Sequence, residues 1–554
     1  MNQKTVPVPS ALAAAAIIAL YTLLSLFRLG YSYAPGTCWQ ADGQGEEILL
    51  DLGKTQDVGS LSWYLGNYEK RVFELYVGNG VPLTWVRLPD VEMKRVWQWE
   101  GSLVNMRCRY IKLITANGPA AINELLVKDT KGRVIEPANA SDYPELFDEA
   151  ALYPGYGSFL SGTVFDESVF ARTAYEYLHG LVSFEDTHPQ LGKVLISWGI
   201  ACFGLNPFGY RVPGVVAGAL LLAVIWVFAS RLMKDSRIAV AVTALFALDF
   251  LHFTESRLGQ TDSFLVLFTT SMYYFMYRYG EENEKGKRGW RFLGGSGFFF
   301  GLAVSCKWSG FYGGVGLALI WLAVLIRRFR REGIGWREVW KVCGISVAFF
   351  IIVPAVIYLL SYIPFVPADP DMGFWEKVAK NQVNMLQYHS GVGGDHGQAS
   401  RWYEWPLSLK PIKLYSVRFP DGKMELVTLM GNPGLWWAGL FILFAGLYDL
   451  AGHMEGRKMF LAIAYGIPLV PWLFISRYTF LYHYYPSLPF LALMTGVWAE
   501  ERGGKGKAVL LCCVVCSAAL FVMFYPIISG MKVETRYVVR WLQWLPGWKF
   551  AESG

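Results

Sequence analysis

The feature that most constrains this chain is a succession of apolar runs that begins after Lys193. Approximate spans fall at 211–230, 238–256, 262–279, 291–306, 309–326, 342–365, 433–451, 458–475, 485–499 and 508–529. Most of them approach the roughly 20 apolar residues that a helix needs to cross a bilayer. Another run, Ser10–Leu29, follows Lys4 and lacks a small-residue cleavage site. It reads as a retained signal anchor with its N-terminus in the cytoplasm, a cleaved signal peptide being the alternative. The expectation is a polytopic α-helical membrane protein with about 11 transmembrane helices.

The basic residues give an independent check on orientation. Arg231, Lys234 and Arg237; Lys285, Lys287, Arg288 and Arg291; Arg327, Arg328, Arg330 and Arg331; Arg457 and Lys458; and Arg502, Lys505 and Lys507 fall in alternate loops. The positive-inside rule puts those loops in the cytoplasm. They account for the net charge of +6 without a nucleic-acid partner, and a composition 54% hydrophobic argues against a soluble globular enzyme. Leu191–Phe203 is short, and counting it as a span would invert every later loop, so a helix on the membrane surface is expected there. In this register everything polar between the anchor and residue 190 faces the extracytoplasmic side. So do the turns at Glu255–Asp262, Lys307 and Arg477–Tyr485 and the long 367–432 loop.

From about Thr37 to Pro137 the pattern changes to EILLDLG (47–53), FELYVGNG (73–80), YIKLITANG (110–118) and INELLVKDTKG (122–132). Period-two alternation broken by Gly, Asn and Asp is a β-domain pattern. With Trp85 after the second piece, the order resembles the discoidin or galactose-binding-like jelly-roll sandwiches. That resemblance implies either a sugar contact at loop tips or a packing module without a ligand. Cys38 and Cys108 lie in this polar part and would be a disulfide candidate in an oxidising compartment. The other six cysteines lie in apolar segments, as small hydrophobes. A Pro-, Gly- and Tyr-rich connector, 138–162, contains Phe147-Asp148-Glu149, a triplet repeated at Phe165-Asp166-Glu167.

The plausible chemistry is concentrated in 165–193, FDESVFARTAYEYLHGLVSFEDTHPQLGK. Carboxylates clustered beside a hydrophobic region are costly unless they face water or a cavity. Asp166, Glu167, Asp186 and His188 are hard or borderline ligands for a divalent ion, but their spacing fits no recognised metal motif. No cofactor is expected, and a divalent metal stays open.

This stretch, with NPFGYRVPG (206–214), LDFLHFTESRLGQTD (248–262), SCKWSGFY (305–312), YHSGVGGDHGQASRWYEWPL (388–407) and FLYHYYPSLPFL (480–491), resembles the protein O-mannosyltransferase family in order and content. The resemblance implies a GT-C glycosyltransferase fold and, as partners, a polyprenyl-phosphate mannose donor, a secreted or membrane protein acceptor, the bilayer and the Sec translocon. Asp166 would be the general base, Glu167 would position the acceptor, and Asp186 would be the second acidic position. Asp186 also suits an N-cap ahead of Leu191. Arg257 is the candidate for gripping the lipid phosphate, oriented by Asp262, or else a snorkelling anchor. Lys307 and Arg477 are further phosphate candidates. His188 would face the acceptor, and His483 is either catalytic or part of an aromatic belt. In the 367–432 loop, Tyr388, His389, His396, Trp402 and Trp405 beside Gly393 and Gly394 suggest a lid over a sugar, or a mobile loop without catalytic duty.

Two departures, a loop too short for a MIR domain and an added β-domain, point to a prokaryotic-type enzyme. A third, Gln190 where the family usually repeats proline, should alter local stiffness more than chemistry. The expected organisation is an anchor (1–33), a β-sandwich (34–140), a catalytic first-loop segment (141–210), membrane helices (211–366), an extracytoplasmic loop (367–432), and C-terminal membrane helices and tail (433–554). The expected activity is inverting transfer of mannose to Ser or Thr hydroxyls. Alternatives are a GT-C transferase moving another lipid-linked sugar to a lipid or cell-wall polymer, and a sugar-binding transporter or receptor.

Overall fold

The computed structural model describes residues 7–66, 71–80, 82–93, 96–284, 289–391, 393–394, 396–452 and 456–551. They divide into a helical unit (Met1–Arg28, Thr173–Gly199, Arg211–Gly554) and a β unit (Leu29–Arg172, Ile200–Tyr210).

The β unit contains β1 (Trp39–Ala41), β2 (Glu47–Leu65), β3 (Arg71–Asn79), β4 (Thr84–Met93), β5 (Trp99–Thr115), β6 (Ala120–Asp129) and β7 (Val134–Ile135). Alternation works as expected. Ile48, Leu50 and Leu52 of β2, Phe73, Leu75 and Val77 of β3, and Ile111 and Leu113 of β5 share one buried core. The expected jelly roll is corrected: the strands form one seven-stranded antiparallel sheet of order β1-β6-β2-β5-β3-β4, with β7 on β6. Two of the short patterns in the sequence, EILLDLG and most of YIKLITANG, are parts of the long strands β2 and β5. β2 runs for 19 residues, well past EILLDLG, and pairs with β5 through two register shifts, so no chain break separates two facing sheets. Cys38 and Cys108 are free thiols.

The helices are α1 (Val8–Leu26), α2 (Glu167–His179), α3 (Leu191–Phe203), α4 (Pro207–Leu232), α5 (Ser236–Ala247), α6 (Phe250–Ser256), α7 (Asp262–Glu284), α8 (Trp290–Cys306), α9 (Gly310–Arg331), α10 (Trp336–Val347), α11 (Val353–Ser361), α12 (Phe374–Gly391), α13 (Pro433–Gly452), α14 (Gly456–Gly466), α15 (Leu488–Glu501) and α16 (Gly503–Ser529). A hairpin of β8 (Ile412–Arg418) and β9 (Lys423–Leu429) is joined by β10 (Val533–Glu534).

The chain is a multi-pass membrane protein, but the expected count of about 11 spans is corrected. Among the described residues, five helices are long and apolar enough to cross a membrane: Val8–Leu26, Pro207–Leu232, Gly310–Arg331, Trp336–Ser361 and Gly503–Ser529. There are six if the bent pair Ser236–Ala247 and Phe250–Ser256 is one span. The other runs are interrupted. Asp249 caps α6 by accepting the His252 amide, and the chain bends 62° there. Past α14, Pro468 and Pro471 turn the chain, and the 14-residue α15 is short for a bilayer. α8 has 17 residues, and α7 carries Arg278, Glu281 and Glu282 in its last turns. Leu191–Phe203 is, as expected, a short apolar helix.

Ion pairs gather the basic loops at one end of the helical unit. Arg231 meets Glu281 at 2.7 Å, Arg457 meets Glu500 at 3.3 Å, Lys458 meets Glu501 at 2.8 Å, and Lys507 meets Asp235 at 2.7 Å. Lys285, Lys287 and Arg288 lie outside the described residues. Glu281 is near the end of α7, whereas Asp262 is its first residue. The 23 residues between these ends span about 35 Å.

Candidate active site

The turn between α2 and α3 is built around one carboxylate. Glu185 Oε1 accepts from the Thr187 amide (3.0 Å) and hydroxyl (2.6 Å) and lies 2.8 Å from His188 Nδ1. Its Oε2 pairs with Lys193, a fully buried ammonium in the first turn of α3. Lys193 also donates to the carbonyls of Glu185 (2.9 Å) and His188 (3.0 Å), so its three hydrogens are used. Burial would raise the Glu185 pKa, but Lys193 and then His188 outweigh it and hold the carboxyl below its usual range. An ionised Glu185 is therefore the strut that sets the direction of His188.

Asp186 is half-buried. Its Oδ2 accepts from Asn384 at 3.3 Å and its carbonyl from Asn381 at 2.6 Å, both on α12. It does not cap α3: Val194 donates instead to the carbonyl of Gln190, four residues further on. Gln190 does more than soften the turn. Its Oε1 accepts from Tyr177 and its Nε2 donates to Asn381 (3.1 Å), tying α2 to α12.

His389, also on α12, connects this turn to a cation. Its Nε2 is 2.9 Å from the Thr187 carbonyl and its Nδ1 is 3.3 Å from Arg477 Nη1. A carbonyl only accepts and a guanidinium only donates, so the ring is neutral with its proton on Nε2. Burial, with His188 and Arg477 beside it, lowers its pKa to about 4. Its ring meets that of His188 edge-on at 5.4 Å.

Lys307, just past α8, holds both oxygens of Asp262 at 3.0 and 2.9 Å, with its ammonium 5.1 Å from the Tyr482 ring centre. His483 packs at 4.0 Å on Trp472 and 4.6 Å on Tyr482. Burial, then Lys307 and Arg477, keep it neutral, its pKa well below that of an ordinary histidine. A small cleft is lined by Asp262, Ser309, Tyr312, Trp472, Tyr482 and His483, among others. Aromatic walls suit the C–H face of a sugar ring, and two nearby cations suit a phosphate.

Asp166 and Glu167 belong to the β unit. Phe165 has φ 55°, and the Asp166 carbonyl accepts from Val169 (3.1 Å) and Phe170 (3.0 Å), opening α2. Glu167 is fully buried, with its carboxylate on the Val164 amide at 2.8 Å, while Asp166 is half-buried. The second triplet is structural: Phe147 packs on the β-unit core, Asp148 accepts the Thr37 hydroxyl at 2.9 Å, and Glu149 accepts the Gly36 amide at 2.6 Å.

Arg257 is not placed for a phosphate. Its buried guanidinium donates to the carbonyls of Leu24, Ser25 and Phe27 at the end of α1, and to those of Arg28 and Ser529. It closes the C-terminal ends of α1 and α16, where a cation is favoured. Trp402 is 38% exposed beside Tyr403 and does not line the cleft, while Trp405 is buried, with its Nε1 on Ser400 at 3.1 Å. Among the described residues, no group of three or more His, Cys, Asp or Glu could hold a metal ion. Sequence reasoning gave no role to Lys193, Asn381 or Asn384. A lysine opening an apolar helix was a readable signal, since it must find a counter-charge. The two asparagines gave none.

Known proteins match this chain along most of its length beyond the β unit. The family described as dolichyl-phosphate-mannose-protein mannosyltransferase matches residues 157–365. The C-terminal four TMM region of protein-O-mannosyltransferase matches 374–453 and 450–548. Together the two cover well over half of the sequence. The polyprenol-phosphate-mannose--protein mannosyltransferase of Mycobacterium tuberculosis is 25% identical over 464 residues, covering 70% of this chain and 86% of the relative. That of Corynebacterium glutamicum is 24% identical over 473 residues, covering 70% and 89%. The S. cerevisiae protein O-mannosyltransferase Pmt1-Pmt2 complex bound to the sugar donor shares the fold, with a TM-score of 0.61 at 14% identity over 70% of this chain and 89% of that one.

Proposed function

The chain belongs to the protein O-mannosyltransferase family, and from that premise we propose that it transfers mannose, with inversion, from a polyprenyl-phosphate carrier to Ser or Thr hydroxyls of exported proteins. The observation that carries this reading is the aromatic cleft beside Lys307 and Arg477, connected through His389 to the Glu185–His188 turn. The acceptor hydroxyl attacks C1 of the sugar on the face opposite the phosphate. The C1–O bond to the acceptor forms as the C1–O bond to phosphate breaks, the hydroxyl proton passes to the Asp166 carboxylate, and Lys307 and Arg477 receive the departing phosphate. Glu167 holds the turn that presents Asp166, and Asp186, fixed by Asn384, orients the acceptor with His188.

The protein would lie in a prokaryotic cell membrane with its N-terminus in the cytoplasm and the site outside, where exported acceptors emerge. Support comes from the ion-paired basic loops at one end of α7 and Asp262 at the other. The test is transfer of labelled mannose from a short-chain polyprenyl-phosphate mannose to a Ser/Thr peptide, with and without chelator. Asp166→Asn should lower the rate by at least about 100-fold, while Asp148→Asn leaves it unchanged. Equal rates in both variants would overturn the placement of the base. Absence of transfer by the unmodified protein would turn the reading to another lipid-linked sugar, or to a lipid or cell-wall acceptor.

A further inference from the structure

The basic clusters of the helical unit differ in how their charge is met. Those at 231–237, 457–458 and 507 are paired with Glu281, Asp235, Glu500 and Glu501. At the turn between α9 and α10, Arg328 meets Glu332 at 3.4 Å, but four other cations are not neutralised in this way. Arg330, Arg331, Arg337 and Lys341 are exposed, and among the described residues none of them makes an ion pair. Large aromatic side chains stand beside them: Phe329 is 40% exposed, Trp336 67% and Trp340 70%, with the Phe329 and Trp336 rings 5.2 Å apart.

Position makes the partner specific. Gly310–Arg331 and Trp336–Ser361 are both candidate spans, joined by residues 332–335 with Gly333 at φ 66°. So short a turn cannot carry its cations away from the layer in which the two spans end. The charges lie within about two helical turns of the apolar segments, the depth of lipid phosphates, and Trp336 and Trp340, four apart on α10, share a face at that depth. Only 11% of the most apolar stretch of Trp336–Ser361 is buried within the protein, against 33% for Gly310–Arg331, so the second helix of this hairpin is open to lipid.

We infer that the α9–α10 turn is a docking surface for anionic phospholipid headgroups, whose phosphates Arg330, Arg331, Arg337 and Lys341 hold while Trp336 and Trp340 sit at the interface. An acidic headgroup supplies the negative charge that these cations lack, whereas a zwitterionic one brings its own cation into the same space. This inference requires only the membrane-spanning helices and stands apart from the choice of sugar or acceptor.

The experiment reconstitutes the full chain in phosphatidylcholine vesicles containing phosphatidylglycerol and measures, by spin-labelled lipids, the preference for the anionic over the zwitterionic species at the protein surface. The unmodified protein should prefer phosphatidylglycerol by roughly fivefold at low salt, and the preference should collapse in about 0.5 M salt. Replacing Arg330, Arg331, Arg337 and Lys341 together by Gln should bring the preference near unity, while Lys505→Gln, at another basic helix end, should leave it in place. No preference in the unmodified protein, or an undiminished one in the fourfold variant, would overturn the inference, as would a loss of the same size from Lys505→Gln. Circular dichroism of the fourfold variant separates loss of binding from loss of fold, and Trp336→Ala with Trp340→Ala, which keep the cations, should weaken the preference only in part.

Discussion

Lys193 is the residue on which the site's geometry depends most directly, because its charge is fully buried and Glu185 is its carboxylate partner. Breaking one side of such a pair strands the other. Glu185→Gln should therefore cost about 3–5 kcal/mol and release His188, whereas Glu185→Gln with Lys193→Met should recover much of the stability. Thermal unfolding of the three proteins checks this, and equal losses in the single and double variants would refute it. Titration should act on the two units in opposite directions. His389 titrates near 4 when folded, below the ordinary histidine value of 6.5. Its contribution is complete above about 6.5 and is lost as pH falls through 4. In the β unit, burial pushes the Glu124 carboxyl up to about 8, with its Oε2 accepting the Glu149 amide at 2.9 Å. Its contribution is complete below the unfolded carboxylate pKa and is lost as pH rises through 8. Hydrogen exchange followed from pH 4 to 9 should show protection around residues 185–193 rising with pH and protection in β6 falling, after correction for intrinsic exchange. Glu124→Gln should flatten the second trend.

At the scale of elements, the sequence foretold the alternation of the β unit, the surface-length helix at 191–203 and the turn that bears Asp186. It misled where a long apolar run contains a hidden end. In 238–256, Asp249 looks like one polar residue in a span, yet its carboxylate caps α6 and also accepts from Trp436 at 2.6 Å. A partner 187 positions away leaves no local trace. The 367–432 segment, a loop by its sequence pattern, contains α12 and a β-hairpin. The hairpin was legible in IKLYSVR and KMELVTL around Asp421-Gly422, an Asp-Gly turn signal. The helix was not, since its inward face is polar: Asn381, Gln382, Asn384 and His389 all bond to the turn or to α11. Arg257 illustrates the same difficulty, as five acceptor carbonyls at two helix ends cannot be seen in one dimension. Arg257→Met should accordingly abolish folding more than donor binding. Arg257→Lys should rescue little, because one ammonium with three hydrogens cannot replace that fork. Detergent stability and the KM for the donor, measured side by side, distinguish this from a phosphate-binding role, which would raise KM in a stable protein.

The helical unit is organised along its long helices, with ion-paired basic loops at one end and the cleft residues at the other. α16 connects the two levels by itself. It begins at Gly503 beside Lys505 and Lys507, and its end at Ser529 leads into β10 with Glu534. Its 27 residues span about 40 Å, enough to put its ends on opposite sides of a hydrocarbon core about 30 Å thick. Lys505 and Glu534 are both exposed, so either can carry a reporter without disturbing a core. In a cysteine-free background, Glu534→Cys should react with a membrane-impermeant maleimide added to intact cells, and Lys505→Cys should react only after permeabilisation. This pair of outcomes is the one that delivers acceptors to the cleft as they leave the cell, and it also places Arg330, Arg331, Arg337 and Lys341 on the cytoplasmic side if Lys505 shares their level. The reverse labelling would put the cleft inside, and the exported-protein acceptor would then have to be abandoned even if mannose transfer itself were confirmed. Labelling of both positions in intact cells would show that α16 does not cross the membrane, which its length and hydropathy of 2.6 argue against.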